Sequence, residues 1–226
     1  MRLNPSIASQ PSPGDRLLQR EPGTGCPAIK GLNRGNAILG TSDACIATHP
    51  SDMCVALAAL DARVRVAGPA GERSMAFTDF HRLPGDTPQH DTNLAPNEIV
   101  TAVELPAQGF ASNYTYLKIR DRLSYAFALV SVAVGLEMDG NGIRRARLAL
   151  GGVAHKPWRD PSAEAALEGQ AADPAVFARA ADLVLRDARG FGHNTFKIDL
   201  ARRAIMRALT QAARGTPQSI SSKKIA

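Results

Sequence analysis

Aromatic residues are scarce, 5% of the 226-residue chain, with one Trp, three Tyr and seven Phe. A protein that holds single-stranded nucleic acid by stacking its bases needs an aromatic platform, so that class is excluded. Cysteine is also rare. The three present are an odd number, which does not make the paired framework of a disulfide-stapled domain. No apolar run approaches the roughly 20 residues of a membrane span. The N-terminus lacks the charged and apolar blocks of a signal peptide, which points to the cytoplasm. Nor is there a basic stripe. Net charge is +6, from 27 Lys and Arg against 21 Asp and Glu, but the arginines are scattered as solvated helix faces. Only the tail around Lys223 and Lys224 clusters charge. Neither a nucleic acid nor a membrane is expected as a partner.

What is present is ordinary globular material, 44% hydrophobic, with length for one or two domains. Residues 1–36 are rich in Pro, Gly and Ser and read as an irregular linker that cannot bury enough apolar surface to order itself. The chain is organised around Gly40 to Val66. A glycine turn leads through Cys45, Ile46 and Ala47, a short run read as a strand, to Thr48, His49 and Pro50. Ser51 and Asp52 then stand at a helix start. Met53, Ala56, Leu57 and Leu60 recur at helical spacing, and Arg63 to Val66 alternates like a strand. A strand delivered to a helix N-terminus suits a phosphate or a ribose, because the first backbone N–H groups lack internal acceptors. Asp52 would complement the helix dipole there with or without a ligand.

Strands are expected over Glu72 to Phe77 and Ile99 to Leu105, closing a small α+β unit. A second unit starts near Ser112, with strands over Tyr114 to Ile119, Ala126 to Met138 and Ile143 to Leu150. Asp139-Gly140-Asn141-Gly142 joins the last two as a hairpin. Helices begin near Pro161, at Asp173-Pro174 and at Lys197. The last is expected to bury Ile198, Ala201, Ile205 and Leu209 and to expose Arg202, Arg203 and Arg207. Three antiparallel strands with helices on one face give an α+β domain.

Two segments carry a resemblance. LGTSDACIATHPSDMCVALAALDARVRV resembles the second half of the FAD-binding domain in the flavoprotein, or medium, subunit of molybdenum hydroxylases. KIRDRLSYAFALVSVAVGLEMDGNGIRRARLALGGVAHKPWR resembles the start of the C-terminal domain of the same subunit. CIATHPSD, DFHRLPGDTP and PGTGCPAIKGLNR are most similar to the flavin subunit of bacterial three-subunit aldehyde oxidoreductases. The resemblance covers residues 20 to 213. It implies an α+β fold: the C-terminal half of a PCMH-type FAD-binding domain (37–111), then a CO-dehydrogenase-flavoprotein-type C-terminal domain (112–215) and a flexible tail (216–226).

It also implies a role, with FAD passing electrons from a molybdenum-cofactor-binding large subunit and a 2Fe–2S small subunit to an external acceptor. Export on a partner's signal would make the compartment periplasmic. By position, Gly40, Thr41, Thr48 and His49 would line the phosphate and ribityl side of FAD. Ser51 and Asp52 would contact the pyrophosphate and ribose. Ile99 and Val100 would cover the isoalloxazine, and Lys118 would stabilise negative charge on reduced flavin.

Two departures stand out. Relatives of the aldehyde oxidoreductase type bind a 4Fe–4S cluster through four cysteines. Cys26 and Cys45 occupy the last two ligand places, while Leu17 holds the second and the first has no counterpart. Two thiolates cannot close such a site, so residues 1–36 read as a remnant of the iron–sulfur insert. The family's first FAD lobe also has no counterpart, so FAD affinity should be weak and the face left behind apolar. The alternative reading is a truncated, non-catalytic assembly module that keeps only a partner-docking surface.

Overall fold

A computed structural model of the chain describes residues 25–107 and 109–215. Most of the expected linker, Leu17 and the whole tail lie outside the described residues. Two antiparallel sheets form the framework. The first contains β1 (Arg63–Gly68), β2 (Gly71–Ala76) and β3 (Ile99–Glu104), in the order β2-β1-β3. The second contains β4 (Tyr114–Ile119), β5 (Val130–Asp139), β6 (Gly142–Gly151) and the two-residue β7 (Trp158–Arg159), in that order. The three expected strands of the C-terminal domain are therefore joined by a fourth. No helix among the described residues is long and apolar enough to cross a membrane.

The hairpin of β5 and β6 is the centre of the molecule. Its turn works because Gly140 takes a φ of +58° at no steric cost. A bulge follows, since Met138 pairs with Ile143 but Glu137 pairs with Arg145, leaving Arg144 without an opposite residue. The bulge lets Ile143 and Ala146 both point inward.

Alternation along β5 makes two buried faces. Val130, Val132, Val134 and Leu136 join Leu148 and Leu150 of β6 in the larger core. That face is covered by α4 (Pro174–Val184), through Phe177, Ala181 and Val184, and by α5 (Phe196–Ala213), through Ala201, Ala204, Ile205, Ala208 and Leu209. Asp173 caps α4 as expected, its carboxylate accepting from Ala175 N at 2.8 Å. The short α3 (Pro161–Ala165) is capped by Asp160 in the same way.

The other face of the hairpin carries Ala133 and Ala149, and against it lies α1 (Asp52–Ala59), with Val55, Ala58 and Ala59. This corrects the sequence reading of α1. Met53 is 68% exposed, and the helix packs on the stripe one position round from Met53, Ala56, Leu57 and Leu60. The sheet face is made of small side chains, and alanines let the helix axis come close where leucines would hold it away.

Two other expectations change. The run Cys45 to Ala47 is not a strand. Ser42 and Cys45 form an isolated bridge, and the chain beyond makes single bonds, from Ala37 N to Ile46 O (2.8 Å) and from His49 N to Ala154 O (3.0 Å). Its neighbour there is the loop leaving β6, which offers too few aligned groups for a ladder. The strand expected from Ala126 begins only at Val130, where β4 ends opposite it at Ile119; Leu129 N makes a last bond to Ile119 O at 2.8 Å.

At the first turn of α5, Lys197 is fully buried, where the hydrophobic pattern predicts only the edge of a helix. Its Nζ donates to Gly35 O (3.1 Å), Asn36 O (2.9 Å) and Gly152 O (2.5 Å). Three donors meet three carbonyls, so one side chain ties the 35–36 loop to the end of β6. Burial, with the Arg34 charge adding, pushes the Lys197 pKa down from 10.5 to about 7. The folded chain then binds fewer protons than the unfolded chain between these values, so this group makes stability rise with pH through that window. Urea unfolding followed between pH 7 and 10 should show the rise, and Lys197→Met should lack it. That variant should also lose about 3 kcal/mol, because buried carbonyls are left without donors.

Candidate functional site

The sequence Thr48-His49-Pro50-Ser51-Asp52 enters α1 in extended conformation, with Ser51 at φ −148° and ψ 112°. Ser51 Oγ accepts from Cys54 N at 3.2 Å, capping the helix. The N–H groups at the start of the first turn have no intrahelical acceptor. They lie beside a cleft of about 410 Å³ lined by Gly35, by Thr48 and Pro50 to Asp52, by Asp121, Arg122 and residues 126–129, and by Ser131, Gly151 and Gly152.

Asp52 is held from below by β4. Tyr116 and Lys118 are two apart on that strand and so share a face. Tyr116 OH donates to Asp52 Oδ1 at 2.9 Å, and Lys118 Nζ to Oδ2 at 2.6 Å. Burial pushes the Tyr116 phenol well above its ordinary value, and the Asp52 carboxylate adds to the rise. The phenol therefore keeps its proton and remains a donor. Asp52 is still about half exposed, and a carboxylate has roughly four acceptor directions. Room remains on it for another hydroxyl or amide.

The floor of the cleft is a glycine pair. A Cβ on Gly151 would lie 2.5 Å from both Ser131 Oγ and Val55 Cγ2. On Gly152, which takes φ +73°, it would lie 2.7 Å from Leu129 O and 2.8 Å from Ala128 O. The loop that contributes the lip is apolar and open, with Leu123, Tyr125 and Phe127 all exposed and Phe127 lining the cleft. Tyr125 stands at φ 52°, and Arg122 Nε donates to its carbonyl at 3.1 Å. At the lip's base Arg34 pairs with Asp121 at 2.7 Å.

Of the residues picked out from sequence, Thr48, Ser51 and Asp52 line the cleft, and Lys118 reaches it through Asp52. The others lie elsewhere. Gly40, at φ +59°, packs under Leu83 and Trp158, where a Cβ would stand 2.6 and 2.9 Å away. Thr41 sits in the neighbouring turn. His49 points to the back of the wall, its ring centroid 4.3 Å from that of His81. Ile99 and Val100 lie on β3 in the other sheet, 66% and 42% exposed, and do not line the cleft. Cys26 is half-buried before a 3-10 turn (Pro27–Ile29). Cys45 is buried, its Sγ accepting from Ala47 N at 3.4 Å and interacting with His155. Gly35, Tyr116, Ser131, Gly151 and Gly152 were missed. The one available signal was the Gly-Gly pair closing a strand, which marks a close approach.

Residues 32–108 match the FAD binding domain in molybdopterin dehydrogenase, and residues 114–212 match the CO dehydrogenase flavoprotein C-terminal domain. The chain belongs to the FAD-binding medium-subunit family of molybdenum hydroxylases. It is 47% identical over 195 residues to the aldehyde oxidoreductase FAD-binding subunit PaoB of Escherichia coli (strain K12), covering 86% of this chain and 58% of that one. It is 39% identical over 110 residues to the glyceraldehyde dehydrogenase medium chain of Sulfolobus acidocaldarius, covering 48% of this chain and 36% of that one. Reconstituted CO dehydrogenase from Oligotropha carboxidovorans superposes with a TM-score of 0.64 at 25% identity, over 72% of this chain and 56% of that chain. The chain thus spans less than two thirds of the length of each.

Gly152→Ala should destabilise the fold by about 2 kcal/mol, since it adds contact with two backbone carbonyls to left-handed strain. Gly140→Ala meets the same backbone penalty in open space, and should lose only about 1 kcal/mol. Urea unfolding of the two variants side by side checks the order.

Proposed function

We propose that this chain is the FAD-binding component of a molybdenum-dependent oxidoreductase of the aldehyde oxidoreductase or xanthine dehydrogenase kind. The observation that carries the reading is Asp52, set at a helix N-terminus on a glycine-floored cleft and supported by Tyr116 and Lys118. The residues fit the cofactor. Free N–H groups at the start of α1 suit a pyrophosphate. Asp52 has acceptor capacity for a ribose hydroxyl, and the missing side chains of Gly151 and Gly152 let α1 and the 128–129 backbone close in around the cleft. FAD would supply the redox chemistry, taking up electrons and releasing them to an external acceptor.

The chain's own groups bind and orient. Thr48 and Ser51 line the phosphate side, and Asp52 fixes the sugar through a charge-assisted bond. Lys118, paired with Asp52 behind the cleft lining, would favour an anionic reduced flavin through its positive charge. Residues 37–111 act as one lobe of the flavin site, with 112–215 as its companion domain. Gly40, Thr41, Ile99 and Val100 would have to act on parts of the cofactor beyond the present cleft, whereas His49 faces away from it. The partners are a molybdenum-cofactor-binding large subunit and a 2Fe–2S small subunit. The exposed lip of Leu123, Tyr125 and Phe127 is apolar in the way a contacted surface is.

Titrating FAD into the purified chain and following quenching of flavin fluorescence should show saturable, weak binding. Asp52→Ala should weaken it by about tenfold or more, as expected for a hydrogen bond to a charged group, with circular dichroism unchanged. Lys118→Met should lower the reduction potential of the bound flavin. A chain that takes up no FAD would act instead as a docking module.

A further inference from the structure

Behind the cleft wall, three side chains from separate segments converge. His49 lies between the cleft-lining Thr48 and Pro50, Cys54 is on the first turn of α1, and His81 follows α2 (Phe77–Phe80). One ligand atom from each lies within 4.8 Å of the other two. His81 is 7% exposed, and among the described residues its Nδ1 and His49 Nε2 are buried with no hydrogen-bond partner. Unpaired buried ring nitrogens are uncommon, and two at one place call for a proton or a metal between them. A shared proton would account for the two nitrogens alone; the Cys54 thiol, which hydrogen-bonds with Ser51, stands within ligating reach of both.

We propose that His49, Cys54 and His81 form a binding site for a late first-row divalent cation, with zinc as the natural occupant. Two imidazoles and a thiolate are the donor set that zinc and cobalt(II) favour over magnesium or calcium. Zinc bonds of about 2.0 to 2.3 Å need ligand atoms within roughly 4 Å of one another, so the three side chains must draw in slightly from the 4.8 Å within which they lie. The fourth position is left to solvent. Burial lowers the pKa of both imidazoles, keeping them neutral and ready to ligate. Burial also raises the Cys54 thiol, so metal binding displaces its proton to solvent.

The neighbouring charges are mixed. His155, bonded to Asp91 at 3.0 Å, and Lys156, bonded to Thr78 O at 2.9 Å, bring positive charge, which the Asp91 carboxylate and the Cys54 thiolate offset. An occupied site would clip the entry to α1 onto the segment after α2, fixing the wall that carries Ser51 and Asp52 from behind. Cys26 and Cys45 take no part, so the site is distinct from any iron–sulfur remnant. It does not depend on the flavin reading, because its test involves no FAD.

The test uses the full chain, stripped with chelator and titrated with cobalt(II). One equivalent should bind with a thiolate-to-cobalt charge-transfer band that zinc displaces. Cys54→Ala and His81→Phe should abolish the band and weaken binding by more than about a hundredfold, beyond the effect of losing an outer-shell partner, while Cys26→Ser keeps both. Independently of any variant, zinc should protect Cys54 from alkylation in the unmodified chain, as mapped by mass spectrometry. A band that survives Cys54→Ala, alkylation of Cys54 unaffected by zinc, or uptake only at large metal excess would each overturn the proposal.

Discussion

The packing of α1 on the back of the β5–β6 hairpin is the constraint from which the rest of the structure follows. Strand residues alternate faces, so a hairpin buried on both sides needs apolar side chains at every position. Here the two faces differ in size. The valine and leucine face fills the space under α4 and α5, while the alanine and glycine face lets α1 lie almost against the backbone. Gly151 shows how tight the contact is, since any Cβ there would collide with Val55 of the helix. Because α1 precedes the first sheet in the chain, this contact also welds the two units through a shared layer.

That close approach creates the cleft. With α1 pressed on the sheet, its N-terminus arrives beside the ends of β5 and β6, and Asp52 falls within reach of two side chains of β4. Lys197 supports the same region from the opposite face, drawing the 35–36 loop and the Gly152 carbonyl together. The site wall therefore hangs between a charged contact on one side of the sheet and a buried ammonium on the other. Changes on either side should be felt at the cleft, although neither Lys118 nor Lys197 lines it.

The proposed flavin site uses Asp52, Ser51 and Thr48. It does not account for the paired imidazoles and thiol behind them. One of them, His49, sits on the far side of the same five-residue entry to α1, so one short segment presents two chemistries in opposite directions. Alternation in extended chain explains the arrangement: Thr48 faces the cleft, and His49 faces away from it.

Much of the framework was legible in the primary structure, because it depends on short-range patterns. Asp139 to Gly142 specify a turn, Asp173-Pro174 a helix start, and the β4 and β6 alternations their strands, all through local backbone and side-chain preferences. Ser51 and Asp52 were legible for the same reason, since a cap is a local device. What the sequence could not decide is which neighbours those elements meet. The stripe of α1 that packs, the burial of Lys197, the support of Asp52 by Tyr116 and Lys118, and the arrival of His81 beside His49 and Cys54 all join residues far apart in the chain. Spacing along one segment carries no information about the size and charge of a surface that another segment will bring to it, and only the tertiary structure supplies that.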